Sequence, residues 1–152
     1  MKQIKPKTMI EYIIPAAHAL EEKNFPADPW TEDMFRAALE DPATVFLTEQ
    51  RGDDLAGLVI IRTIAGEGSI DNVSVDPAYR RQGIARKLLT EAMRQAREQH
   101  GAESFTLEVR VSNGAARALY ESLGFANEGI RPGYYEKPRE DACIYWLRNG
   151  VH

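Results

Sequence analysis

The sequence has one cysteine, Cys143, in 152 residues. No internal disulfide can staple the chain, and a lone thiol between Ala142 and Ile144 reads as a buried strand residue in a reducing compartment. Positive charge is not in surplus. Nineteen Lys and Arg against 23 Asp and Glu leave a net charge of −4, which argues against direct nucleic-acid binding, since phosphate contacts need an excess of Lys and Arg. That balance is compatible with a cationic partner such as an amine or a basic peptide. Lys2, Lys5 and Lys7 stand near the start without an apolar run after them. Neither a signal peptide nor a membrane span is expected, and the expected location is cytoplasmic. His18 and His100 fall in helical patterns with no second ligand at metal spacing, so no metal is expected. A composition of 43% hydrophobic and 28% charged residues, without repeats or low-complexity stretches, fits one globular domain over 1–152.

What is present is a phosphate-binding pattern of an unusual kind. The apolar, β-branched stretch Ile70-Asp71-Asn72-Val73-Ser74-Val75 closes with Asp76-Pro77. Arg80-Arg81-Gln82-Gly83-Ile84-Ala85 follows, and then a helical pattern from Ile84 to His100. A strand end, a glycine turn and a helix start direct unpaired N–H groups and the positive end of a helix dipole to one place. Gly83 permits close approach of an anion, and Arg80, Arg81 and Arg86 add charge. Two better-known signatures are missing. No Gly-Lys-Ser/Thr follows Gly83, and the three glycines of the dinucleotide fingerprint are reduced to one. An ordinary charged helix start explains this fragment equally well.

Periodicity orders the rest. A short strand is expected near Lys2 to Lys5. A helix carrying Ile10, Ile13, Ile14, Ala17 and Leu20 follows, its regular part beginning near Pro15 because proline suits a first turn. Thr31 caps a second helix with Met34, Phe35, Ala38 and Leu39 on its stripe. Val45 to Thr48, Leu55 to Thr63 and Ser69 to Val75 read as an antiparallel meander, the last turn flanked by Gly66 and Gly68. Ile84, Leu88, Ala92 and Ala96 form one face of the long helix, which Gly101 ends. Phe105 to Val109 is a strand and Asn113 to Leu123 a helix ended by Gly124. Phe125 to Gly129 and Ala142 to Leu147 close the sheet around a polar loop, Arg131 to Glu140, with Trp146 in the core. The class is α/β (α+β), with a mixed, mostly antiparallel sheet of about seven strands and helices on both faces.

Three side chains carry chemistry or mere structure with equal economy. Alternation puts Glu108 opposite Leu107 and Val109. A carboxylate in a central strand is costly unless it is paired, wetted or working, and Arg110 is a ready partner. Tyr120 lies on the core-facing stripe of its helix, where packing alone accounts for it. Asn113 stands where an N-cap belongs.

Taken together, these segments resemble one family. The spacing Arg80-x-x-Gly83-x-Ala85 is similar to the pyrophosphate loop of the GNAT N-acetyltransferase superfamily. Leu107-Glu108-Val109-Arg110-Val111-Ser112-Asn113 and Ala118-Leu119-Tyr120-Glu121-Ser122-Leu123-Gly124-Phe125 resemble its branch acting on protein N-termini, and more narrowly the ribosomal-protein alanine N-acetyltransferases. Phe25 to Phe35 with Pro29-Trp30-Thr31-Glu32, Gly133-Tyr134-Tyr135, and Glu140-Asp141-Ala142 are similar to further segments of that branch. Ala85 departs from it, because a second glycine is frequent there, although the superfamily pattern accepts alanine.

The resemblance implies a GNAT fold and acetyl-CoA as cosubstrate. It implies that the backbone of Val73, Ser74 and Val75 holds the pantetheine arm, that Arg80, Arg81, Gln82, Gly83, Ile84, Ala85 and Arg86 hold the pyrophosphate, and that Asn113 touches the cofactor. Glu108 becomes a general base, Tyr120 a general acid, and Trp30, Tyr134 and Tyr135 the wall of an acceptor slot. The implied partner is the N-terminus of a ribosomal protein, met by a monomer or weak dimer. The alternatives are a GNAT enzyme acting on a polyamine or aminoglycoside, and a non-catalytic acyl-CoA-binding module.

Overall fold

The computed structural model describes residues 2–3 and 7–148. In chain order the elements are β1 (Lys2–Gln3), α1 (Lys7–Asn24), α2 (Glu32–Glu40), β2 (Thr44–Arg51), β3 (Asp54–Ile64), β4 (Glu67–Val75), α3 (Ile84–His100), β5 (Ser104–Arg110), α4 (Gly114–Ser122), β6 (Ala126–Glu136) and β7 (Arg139–Leu147). The strands form one seven-stranded sheet in the order β1-β2-β3-β4-β5-β7-β6. Of its neighbouring pairs, β4–β5 is parallel and the others are antiparallel, because β4 and β5 are joined by the crossover helix α3.

Each face of the sheet is covered by a different helix pair. Ile13, Ile14, Ala17 and Leu20 of α1 and Phe35 of α2 pack on Phe46, Leu55, Leu58 and Ile60. On the other face Ile84, Leu88, Leu89, Ala92, Met93 and Ala96 of α3 and Tyr120 of α4 pack on Val59, Ile61, Phe105, Leu107, Val109, Cys143 and Tyr145. Gly57 lets α3 approach this closely, since a Cβ there would stand 2.8 Å from Ile84 Cγ2.

Several expectations change. Helix α1 begins at Lys7 and carries Pro15 inside it. Pro15 is exposed, as is Glu11 one turn earlier, so the N–H that proline lacks is missing on the solvent side of the helix. Ile4 and Lys5 of the expected first strand lie outside the described residues. Gly68 belongs to β4 rather than to a turn. The expected loop Arg131 to Glu140 is instead the far half of a long β6–β7 hairpin, with Tyr135 opposite Glu140 and Glu136 opposite Arg139. Polar, charged sequence misleads there because both faces of the hairpin end are wet. Trp146 is half-exposed under Arg148, whose guanidinium lies 4.2 Å from its ring centroid. Tyr145 takes the core position, fully buried.

The feature that creates a site is a divergence of β4 from β5. The two pair only through Glu67–Ser69 and Ser104–Thr106. Immediately beyond, the β3 register passes from Ile61 opposite Ile70 to Ile60 opposite Asn72, so Asp71 is an extra residue. A bulge of this kind bends and twists its strand. It also turns Asn72 and Ser74 toward α1, where they bond Glu21 and Asn24, and leaves Val73 and Val75 against the α3 core. From Asp71 onward β4 leaves β5.

Gly68 sits at the junction, opposite Phe105. A Cβ there would lie 2.5 Å from Phe105 Cδ1. Gly68→Ala is therefore expected to lower unfolding stability by about 1–3 kcal/mol in urea titrations, whereas an unchanged midpoint would mean that the strands move apart freely.

Candidate active site

The divergence leaves main-chain groups unpaired. Asp76 N–H donates to Ala56 O at 2.8 Å, on the β3 side. Alternation then turns the N–H and C=O of Val73 and Val75 away from β3 and into the gap. Ser74 does not share that edge: its main chain faces β3, and its Oγ accepts from Asn24 Nδ2 at 2.6 Å. The same Asn24 amide donates to Val75 O at 3.0 Å, and Arg80 donates to Asn24 Oδ1 at 2.6 Å. Asn24 thereby ties the end of α1 to both the strand and the arginine loop.

At the end of β4 the chain makes a 3-10 turn and enters α3. Arg81 has φ 64° and Gly83 φ 76°, left-handed values that converge successive N–H groups. Gly83 caps α3 with no side-chain hydrogen bond, so the first-turn N–H groups of Ile84, Ala85 and Arg86 face outward unsatisfied. A Cβ at Gly83 would meet nothing within 4 Å; the space in front of the loop is open. Of the expected cations, Arg80 is engaged by Asn24, and Arg86 donates to Ser122 Oγ at 2.6 Å. Gln82 accepts from Arg51 at 3.1 Å. Arg81 alone of the three arginines makes no such bond among the described residues.

Glu108 lies on β5 two residues past the last β4 pair, on the side facing α2. It lines a cleft of about 580 Å³ with Trp30, Asp71, Tyr134 and Tyr135. Arg110 is not its partner. Arg110 instead donates to Glu140, Pro138 O and Lys137 O, and lies over the Tyr135 ring at 4.3 Å, pinning the hairpin end to β5. Glu108 Oε1 has Arg131 Nε at 3.7 Å, with its side chain 31% exposed, so the carboxylate remains reachable. Tyr134 and Tyr135 meet edge to face at 5.0 Å. Burial, with the nearby Glu108 carboxylate adding to it, raises the phenol pKa of both. Glu140 accepts Ser112 N–H at 2.7 Å and Asp141 accepts Gly133 N–H at 2.8 Å, so this acidic pair braces the hairpin.

Tyr120 lies on the opposite face of β5, 8% exposed, between Phe125 and Tyr145. Its hydroxyl has no hydrogen-bond partner among the described residues, and burial pushes its pKa up to about 12. Asn113 caps α4, accepting Ala116 N–H at 3.2 Å. The capping reading of Asn113 is thus satisfied by the fold itself.

The outlined loop, the unpaired strand edge and an unpartnered buried phenol suit a long, flexible, phosphate-bearing thioester. The family model described as the acetyltransferase (GNAT) family matches residues 14–125. This chain is a member of the GNAT family. It is similar to the [ribosomal protein bS18]-alanine N-acetyltransferase of Escherichia coli K12, with 41% identity over 136 residues, 88% of this chain and 90% of that one. The crystal structure of the ribosomal-protein-S18-alanine N-acetyltransferase from Escherichia coli superposes with a TM-score of 0.83 at 33% identity, covering 99% and 94% of the two chains. A Bacillus subtilis acetyltransferase crystallised with CoA shares the fold, with a TM-score of 0.70 at 19% identity over 87% and 90%. The GNAT chain described here is an acetyl-CoA-dependent N-acetyltransferase.

Glu21, Asn24 and Tyr145 were not foreseen, and Arg110 was expected at Glu108 rather than at the hairpin. Their partners lie far along the chain, as in the 51-residue separation of Glu21 and Asn72, and no local pattern marks them. No helix among the described residues is long and apolar enough to cross a membrane.

Tyr120 should keep its proton to a pH of about 12. NMR of 13Cζ-labelled tyrosine, with the resonance assigned by its loss in Tyr120→Phe, reads this directly. A midpoint at the ordinary ~10 would mean a solvated hydroxyl.

Proposed function

We propose that this enzyme acetylates the α-amine of a protein N-terminus beginning with alanine, that of a ribosomal protein such as the one named for its Escherichia coli relative. The observation that supports the mechanism is that Glu108 and Tyr120 stand on opposite faces of β5, the first lining the cleft and the second buried with no partner for its hydroxyl among the described residues. One group reaches the acceptor cleft and the other the cofactor side.

In this reading the loop Arg80–Arg86 holds the pyrophosphate through its N–H groups and the free Arg81, and Val73 and Val75 pair with the pantetheine arm. Acetyl-CoA, when bound, supplies a thioester carbonyl. The amine must be neutral to attack it. A free α-amine of pKa ~7.7–8.0 is neutral in about one molecule in seven at pH 7, and lysine at ~10.4 in fewer than one in roughly a thousand. A single carboxylate, directly or through water, therefore suffices for an N-terminus, whereas lysine would add about 3.5 kcal/mol of deprotonation cost. Glu108 takes the amine proton. The N–H groups at the β4 edge stand where negative charge develops on the carbonyl oxygen. Tyr120, held protonated by burial, donates its proton or a hydrogen bond to the leaving sulfur, whose conjugate acid is near ~8.5. Attack is direct, with no covalent enzyme intermediate. Trp30, Tyr134 and Tyr135 wall the acceptor.

The test is acetyl-CoA with an alanine-starting peptide, against the same peptide with a blocked N-terminus and one free lysine, read by mass. Acetylation of the free N-terminus alone is expected. Acetylation of neither, with acetyl-CoA still bound, would remove this substrate and direct attention to small amines or to a silent acyl-CoA-binding module. Glu108→Gln and Tyr120→Phe should each lower kcat by about 10²–10⁴, with the calorimetric Kd for CoA unmoved. Equal losses in CoA affinity would assign both residues to binding instead.

A further inference from the structure

Trp30 rides on the connection between α1 and α2, yet its peptide unit is held from two sides by α1. Its N–H donates to Glu21 Oε1 at 3.4 Å. Its carbonyl accepts from His18 Nδ1 at 2.7 Å; since a carbonyl only accepts, Nδ1 carries the proton. His18 Nε2 stands 3.5 Å from Glu22 Oε1 on the next turn of the helix. The indole rests against Phe35 at 5.1 Å, Phe35 in turn lies 6.2 Å from Phe46, and the indole faces the cleft that contains Glu108.

Glu21 is the expensive member. It is 3% exposed beside the apolar α1 core, and burial raises its pKa above the usual carboxylate value. An apolar side chain would fill this place at lower cost. What the carboxylate does there is bridge two elements. While Oε1 accepts from the Trp30 N–H, Oε2 accepts from Asn72 Nδ2 at 3.2 Å. Asn72 immediately precedes Val73 on the strand edge that diverges from β5. The same group therefore holds the acceptor wall and the strand that lines the gap.

We propose that His18 and Glu21 are positioning residues that clamp the Trp30 peptide, fixing the indole as a wall of the acceptor cleft and, through Asn72, registering that wall against β4. This rests on the acceptor reading given above. Neither residue touches the reacting atoms. Their loss acts on acceptor binding rather than on the chemical step.

The experiment uses the full chain with Trp146→Phe, so that Trp30, the remaining tryptophan of two, is the sole indole. His18→Leu removes the bond to the carbonyl. His18→Asn restores an N–H donor near the Nδ1 position. His18→Leu is expected to raise the KM for the alanine-starting peptide by about tenfold, the worth of one hydrogen bond, with kcat and the KM for acetyl-CoA unchanged. It should also red-shift Trp30 emission and raise its quenching by acrylamide, and His18→Asn should reverse both effects. Glu21→Gln, which keeps an acceptor for Trp30 N–H and lets Asn72 turn its amide over, should behave as wild type. Glu21→Leu should behave as His18→Leu does, and if it fails to fold the partly exposed His18 pair decides. Unchanged quenching in His18→Leu, or losses shared equally by kcat and both KM values, would overturn the clamp. A parent enzyme inert toward every N-terminal peptide would overturn the acceptor reading instead, and the quenching comparison would still decide whether the clamp exists.

Discussion

Everything functional in this molecule depends on two neighbouring strands that are joined for three residues and then part. Parallel pairing of Glu67–Ser69 with Ser104–Thr106 holds β4 to β5, and the extra residue Asp71 then bends β4 away. A sheet interior ordinarily consumes its main-chain hydrogen bonds. Here the N–H groups of Val73 and Val75 and the Val73 carbonyl face the gap with no strand beside them, while the Val75 carbonyl is taken by the Asn24 amide. The same bend exposes the flank of β5, so that Glu108 lines the cleft on one face while Tyr120 packs into the core on the other.

Stability and access are reconciled by where the polar ties lie. Core burial is continuous across β2, β3 and α3, while the opening is framed by hydrogen bonds. Asn24 ties α1 to Ser74, Val75 and Arg80. Lys23 pairs with Asp76 at 2.8 Å. Arg110 and Glu140 brace the β6–β7 hairpin against β5. Such ties orient groups without filling the space between them. The result is a rim of defined geometry around a cleft that apolar packing would have closed.

Much of this was legible along the chain. Periodicity placed α2, α3, α4 and the central strands, and the glycines at 83 and 101 marked the ends of α3, both at positive φ. Alternation put Glu108 on the face opposite Leu107 and Val109, as the burial of β5 bears out. The hairpin end was misread because polar residues on a doubly exposed strand look like a loop. Trp146 was expected in the core, and Tyr145 holds that position instead, because neighbouring aromatics on a strand give no sign of which face is covered.

The sequence alone determined the family, the class of fold and the residues able to perform acid–base chemistry, because strand alternation, helix periodicity and a glycine turn are local properties written over short spans. Only the tertiary structure decided which of those residues line the cleft, as Glu108 does, and which are packed in the core, as Tyr120 is. It alone also decided that Arg110 serves the hairpin rather than Glu108, and that Glu21 reaches a strand 51 residues away. Those outcomes depend on a bulge at one residue and on contacts between segments remote in the chain, where the energy of a pair exists only once the sheet has brought its partners together.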